Sequence, residues 1–314
     1  MRAAGVQRFT ADVEVMDLPD PPPPGPDEVL IEVHASGVAN WDDLVRTGSW
    51  DLGRPAPLAL GTQCAGVVAA LGSTVDNLAV GDRVMTHSVP LRDQGTWAPW
   101  FLAAAADVAP MPAEVSFEVG GVAPIPLLTA DQALRDALDV GSGTSLLVHG
   151  AGGVTGTVLV QLATYLGARV YATAGARSAA RVRSAGAVAV LDYHDAGWVD
   201  RLRNTTGGVS AAVNAVAGAD GAARAITAVR DGGMLATITS STTSQRGVDV
   251  RQVYVAPDGP RLAALGALLA SGVMRIEVAP PYPLSRAGLA LAQVPAAAGR
   301  ALVLLPLEPG DDGP

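Results

Sequence analysis

The chain carries two different rhythms of apolar and polar positions. In its first third, short alternating runs such as 28–34 (EVLIEVH) and 64–71 (CAGVVAAL) stand between glycine and proline turns. A period of two marks strands with one buried face, and many short strands at this spacing predict a β-barrel. From about Gly120 the rhythm changes to apolar strands alternating with alanine-rich amphipathic helices: 146–149 (LLVH), 169–174 (RVYATA), 188–193 (VAVLDY), 211–216 (AAVNAV) and 234–240 (MLATITS). These five strands predict a doubly wound parallel sheet of the α/β class. A helix at 262–271 has the same texture, after which 274–278 (MRIEV), a helix around 285–293 and a strand at 301–305 return to barrel spacing. The expected organisation is therefore 1–119 as a barrel, 120–272 as the parallel sheet and 273–314 as a return to the barrel. A cleft between the two parts, at the carboxyl ends of the strands, is the expected ligand site. The run 19–26 (PDPPPPGP) reads as a stiff connector and 308–314 as a frayed tail.

Residues 146–162 (LLVHGAGGVTGTVLVQL) carry the strongest chemical signal, because an apolar strand runs into a glycine turn and then into a helix. Gly150, Gly153 and Gly156 recur every three residues. Absent side chains let backbone N–H groups approach phosphate oxygens at a positive helix N-terminus, so the segment suits a nucleotide pyrophosphate. Read as G-x-G-x-x-G the match fails at one position, where Ala151 replaces the first glycine. The next strand ends in Thr173 and Ala174, with no acidic residue to meet an adenosine ribose, and Arg177, Ser178 and Arg181 follow. That end favours a 2′-phosphate and hence NADPH over NADH. The alternative is that these arginines are the solvated first turn of an ordinary helix.

Composition narrows the partners. With 49% hydrophobic and 16% charged residues the chain of 314 is globular and long enough for two domains, and a net charge of -9 argues against nucleic acid and anionic membranes. All basic residues are arginine, so Schiff-base chemistry and a lysine proton donor are excluded. Cys64 is the sole cysteine, which rules out an internal disulfide and a multi-thiolate metal site. No signal-peptide or membrane-spanning pattern stands at 1–20, and the expected compartment is the cytoplasm.

The segments 17–48, 60–67 (LGTQCAGV), 80–84 (VGDRV), 127–134 (LLTADQAL) and 148–156 with Gln161, taken in order, resemble the zinc-free quinone oxidoreductase (zeta-crystallin-like) branch of the medium-chain dehydrogenase/reductase superfamily. The resemblance implies a GroES-like barrel joined to a Rossmann domain, a homodimer, and hydride transfer from NADPH to a quinone or conjugated enone. Zinc alcohol dehydrogenases of the superfamily place a Cys within 37–42 and Gly-His-Glu where this chain has Gly61-Thr62-Gln63, so neither ligand is present and no metal is expected. A quinone or enone suits a site without a Lewis acid, because the incoming negative charge is delocalised.

For the cofactor, the resemblance implies Gly150, Gly153, Val154, Thr155 and Gly156 at the pyrophosphate, Tyr193 near the ribose phosphate and Thr129 near the nicotinamide. For the substrate it implies an Asn and a Tyr, where this chain offers Ala39 followed by Asn40, and Trp50. Trp50 can stack on a planar acceptor and Asn40 can polarise a carbonyl; both are the catalytic candidates. Asp42 and Arg46 are expected to form a structural ion pair. His34 and His149 read as core histidines, while His87 and His194 are isolated. Asn214 stands where relatives often carry Asp. Two other readings stay open: a pathway-specific reductase or cyclase of secondary metabolism acting on a polyketide-like intermediate, and a cofactor-binding protein without turnover.

Overall fold

The computed structural model describes residues 1–306, so the tail expected at 308–314 lies outside them. The described residues divide into two compact units, one of 126–256 with 273–275, the other of 1–125, 257–272 and 276–306.

The first of these is built on six parallel strands: β1 (Ser145–His149), β2 (Arg169–Thr173), β3 (Ala189–Leu191), β4 (Val209–Asn214), β5 (Val229–Thr237) and β6 (Asp249–Gln252). Their spatial order is β3-β2-β1-β4-β5-β6, the Rossmann order. The order reverses between β1 and β4, which puts a crevice at the carboxyl end of β1. Leu146, Leu147 and Val148 are completely buried, as expected of a central strand covered on both faces. Trp198, Leu202, Ile226 and Leu235 pack with Leu147 and Tyr171 into one core. The sixth strand, DVRQ, has no apolar pattern to announce it and is held at the sheet edge by backbone pairing with β5.

In the other unit the strand Glu28–Val38 pairs antiparallel with Gln63–Leu71, Trp100–Ala104 and the C-terminal Leu302–Leu305. Gln63–Leu71 continues the sheet to Arg83–His87 and Val108–Pro110. Two glycines decide where the helix Gly259–Ala270 lies. A Cβ at Gly259 would stand 2.6 Å from the carbonyl oxygens of Ala106 and Val108, and one at Gly266 would stand 2.6 Å from Met85. Only bare backbone approaches that closely, so this helix groups with the antiparallel unit, whereas its alanine-rich texture had grouped 120–272 together.

The run 274–278 is not a strand; it makes a single bridge, Val278 to Ala301. Its backbone is engaged elsewhere, because Gln161 donates to the Arg275 carbonyl at 3.0 Å and accepts from the Arg275 N–H at 2.7 Å. Gln132 holds Ala256 in the same reciprocal way, at 2.8 and 3.0 Å.

Candidate functional site

The three glycines of the turn after β1 do three different things. Gly150 has φ +92°, in the left-handed region that favours glycine, and its N–H donates to the Thr173 hydroxyl at 3.0 Å. Gly156 is the close-packing glycine: a Cβ there would strike the Gly150 carbonyl oxygen and stand 2.8 Å from Ala151 Cα. Gly153 caps the helix Val154–Tyr165 without a side-chain bond, at an ordinary φ of −80°. A Cβ on Gly153 would find only the Gly150 oxygen, at 3.8 Å. The first-turn N–H groups of Val154, Thr155 and Gly156 have no intrahelical acceptor, as at any helix start, so an open helix N-terminus faces the carboxyl end of β1. Gly152, absent from the sequence candidates, is the third constrained position, with Ser178 Oγ 2.5 Å from where its Cβ would be.

The end of β2 supplies a second surface. Gly175 caps the helix Ala176–Ser184, and a Cβ there would stand 3.3 Å from the Tyr193 ring and 3.5 Å from its hydroxyl. Tyr193 is partly exposed and lies against His194, with ring centroids 4.1 Å apart. Ala174 is buried, its N–H donating to Leu191. Ser178 and the exposed Arg177 follow the end of β2, and Tyr193 follows the end of the neighbouring strand β3. Arg181 differs from Arg177: its guanidinium donates to the Gly152 carbonyl at 2.8 Å and so braces the glycine turn.

Behind the turn, His149 is a structural residue. Its Nδ1 meets Thr173 Oγ1 at 2.8 Å and its ring stacks on Trp198 at 5.1 Å. Burial, aided by the Arg224 charge, pulls its pKa from 6.5 down to about 4. Asn214 explains itself through donors. Its Nδ2 donates to the hydroxyl oxygens of Thr237 and Thr239 and to the Val216 carbonyl. Those two hydroxyls already donate to the carbonyls of Ser240 and Val216. A carboxylate at 214 would keep the Val216 N–H on one oxygen but turn its other oxygen onto three oxygens that offer no proton.

Thr129 is buried in the helix Pro124–Asp131. In the antiparallel unit the two substrate-side candidates meet different surroundings. Asn40 is exposed at the start of the helix Asn40–Arg46 and lines an open groove of about 650 Å³ with Asp12, Arg46, Leu289 and Pro295. Trp50 packs against the core, its ring centroid 6.4 Å from that of His87. His34 is half-buried and stacked on Phe117.

The expected pair of Asp42 with Arg46 does not form. Arg46 pairs with Asp43 at 2.7 Å, while the buried Asp42 turns back to accept the Ala39 N–H at 2.8 Å. Capping the helix start claims the Asp42 carboxylate, which leaves Asp43 as the acid within reach of Arg46. Burial raises the pKa of Asp42 from 3.8 to about 8 and lowers that of His87 from 6.5 to about 4. The signs oppose. The contribution of each depressed histidine, His87 and His149, is complete above pH 6.5 and is lost as the pH falls to about 4. That of Asp42 is complete below pH 3.8 and is lost as the pH rises to about 8. Asp42→Asn is expected to flatten the decline in stability between pH 6.5 and about 8 and to leave the histidine limb in place, as read by urea denaturation across that range.

Among the described residues, no group of three or more His, Cys, Asp and Glu side chains could hold a metal, and no helix is long and apolar enough to cross a membrane. Residues 25–113 match the family model described as alcohol dehydrogenase GroES-like domain, and 154–256 match that described as zinc-binding dehydrogenase. A pikromycin polyketide synthase component of Streptomyces venezuelae is 43% identical over 154 residues, 49% of this chain and 4% of that protein. The quinone oxidoreductase of Mus musculus is 33% identical over 211 residues, 66% of this chain. The match spans 62% of the mouse enzyme's length. The solved structure of mycobacterial Rv1454c complexed with NADPH is 30% identical with a TM-score of 0.86, covering 98% of this chain and 100% of that one.

Proposed function

The chain belongs to the medium-chain dehydrogenase/reductase superfamily, in its quinone oxidoreductase branch, and on that premise we propose that it is an NADPH-dependent, zinc-free oxidoreductase that passes hydride to a quinone or conjugated enone. The observation that carries the reading is the open helix start at Gly153, beside the end of β2, whose Thr173 and Ala174 bring no acidic side chain. When bound, NADPH supplies the hydride. The N–H groups of Val154, Thr155 and Gly156 hold the pyrophosphate, and Ser178, Tyr193 and Arg177 take the ribose phosphate. Thr129 is assigned to the nicotinamide side by resemblance. On the substrate side, Trp50 rather than Asn40 orients the acceptor, because a flat indole against the core offers a rigid stacking face. The donor set argues against zinc: Thr62 and Gln63 replace the ligands of zinc-dependent relatives, and the thiol of the buried Cys64 is pushed up by desolvation, against thiolate formation.

Titration of NADPH and NADH, followed by decay of nicotinamide absorbance with a small quinone and a conjugated enone, tests this. Tighter NADPH binding and decay with either acceptor are expected; no binding of either cofactor overturns the reading. Arg177→Ala is expected to reduce the NADPH preference about tenfold through loss of a charge-assisted contact. Arg181→Ala, which unbraces the glycine turn, weakens both cofactors alike.

A second reading is favoured by the 43% identity to part of a polyketide synthase component: reduction of an enoyl thioester of secondary metabolism. Faster NADPH oxidation with a short enoyl thioester than with any quinone would select it. NADPH binding without decay on any acceptor would instead select a cofactor-binding protein without turnover.

A further inference from the structure

His194 follows the end of β3 with a ring that the fold does not use. It is exposed, and among the described residues neither ring nitrogen has a hydrogen-bond or ion-pair partner. Its backbone N–H donates to the Asp192 carboxylate at 3.0 Å, and its ring lies against that of Tyr193 with centroids 4.1 Å apart. Tyr193 in turn reaches the start of the helix Ala176–Ser184, where a Cβ at Gly175 would stand 3.5 Å from the phenol hydroxyl. Imidazole, phenol hydroxyl and helix start therefore belong to one small surface. Arg177, in the first turn of that helix, is exposed and also has no partner among the described residues. The other charges around His194 are engaged. Asp195 is held below the usual carboxylate range by the Gly197 N–H and by Arg201 of the helix Trp198–Thr206. Arg224, from the helix Ala219–Ala228, donates to the carbonyls of Tyr193 and Asp195 at 3.4 and 3.5 Å. Carboxylates and guanidinium groups hold their charge between about pH 6.5 and about pH 8, whereas an imidazole in water gains its proton across that range. His149, the other histidine of this unit, stays neutral there.

We propose that His194 is a specificity residue for the 2′-phosphate of NADPH, a cation beside Arg177 whose charge is set by pH. This rests on the reading that the ends of β2 and β3 take that phosphate. A phosphate monoester presents three acceptor oxygens, so Arg177, the Tyr193 hydroxyl and the His194 ring can each bond one of them. Protonation gives the imidazole a second donor and the charge that a phosphate dianion selects. NADH carries a neutral hydroxyl at the same place and gains little from that charge. The preference for NADPH over NADH therefore rises as the pH falls from about 8, until the phosphate itself takes up a proton near about pH 6.

The test measures Kd for NADPH and for NADH by fluorescence titration of the full chain at about pH 8 and about pH 6.5. The ratio of the two constants is the readout, because a pH effect on the glycine turn or on the fold acts on both cofactors and cancels. The unaltered protein is expected to gain about threefold in NADPH preference at the lower pH. His194→Gln, which keeps a donor without a charge, should leave the preference flat or slightly falling. His194→Arg, charged at both pH values, should hold the higher preference at both. The exposed position of His194 lets both variants fold, which a denaturation curve checks. A preference that does not rise in the unaltered protein, or that still rises in His194→Gln, overturns the proposal. NADPH preferred equally at both pH values removes only this residue and leaves the NADPH reading standing. Equal affinity for the two cofactors, or binding of neither, overturns that reading and the role of His194 with it.

Discussion

Gly153→Asp is expected to abolish NADPH binding while leaving the fold intact. At φ −80° the position tolerates any side chain, and a Cβ there meets no protein atom closer than the Gly150 oxygen at 3.8 Å. An aspartate at a helix N-cap is also favourable by a few tenths of a kcal/mol relative to glycine, so the midpoint of urea denaturation should hold or rise slightly. The same carboxylate would stand at the proposed pyrophosphate site. Like charges a few ångströms apart in a partly desolvated site cost several kcal/mol, so NADPH affinity should fall by at least about 100-fold. Fluorescence titration of NADPH beside a denaturation curve reads both numbers. Unchanged affinity would remove the pyrophosphate from this turn.

Gly156→Ala, three residues on, is expected to fail in the opposite manner. Its added methyl would collide with the Gly150 carbonyl oxygen and crowd Ala151 Cα at 2.8 Å, and both are backbone atoms that cannot rotate away. Separating the helix Val154–Tyr165 from β1 disturbs the completely buried Leu146, Leu147 and Val148, so a loss of about 3 kcal/mol is expected. Cofactor affinity should fall with it, because the N–H groups ride on that helix. A variant as stable as the parent would show that the helix can back away from the turn without cost.

The contrast shows how far this site was legible in the chain. Gly150, Gly153 and Gly156 are equally spaced letters, and the spacing marks a turn where backbone must come close. It does not say which glycine is needed for φ, which for packing and which leaves the open space proposed for the pyrophosphate, because those differences come from Thr173, Ala151 and the absence of close neighbours respectively. Gly152 escaped notice for the same reason, since its neighbour Ser178 is 26 residues away (178 − 152). Asp42 was misread because helix spacing permits Arg46 to choose between two acids, and the choice follows from the first acid's turning back onto Ala39. The polar strand Asp249–Gln252 lacks the apolar alternation that marks strands, and only pairing with β5 defines it.

The sequence by itself determined the class of the fold and the position of the glycine turn. Apolar periodicity, glycine spacing and the absence of lysine are properties of neighbouring residues or of the whole composition, and no three-dimensional arrangement is needed to read them. The tertiary structure alone decided that Trp50 faces the core beside His87 while Asn40 lines an open groove, and that Thr62 and His87 meet with one polar atom each left over. It also decided that the helix Gly259–Ala270 lies on the antiparallel unit. Those outcomes depend on strand register and on backbone approaching backbone across 25 residues in one case and about 150 in another. Contacts at that separation are fixed by packing, which a one-dimensional pattern does not encode.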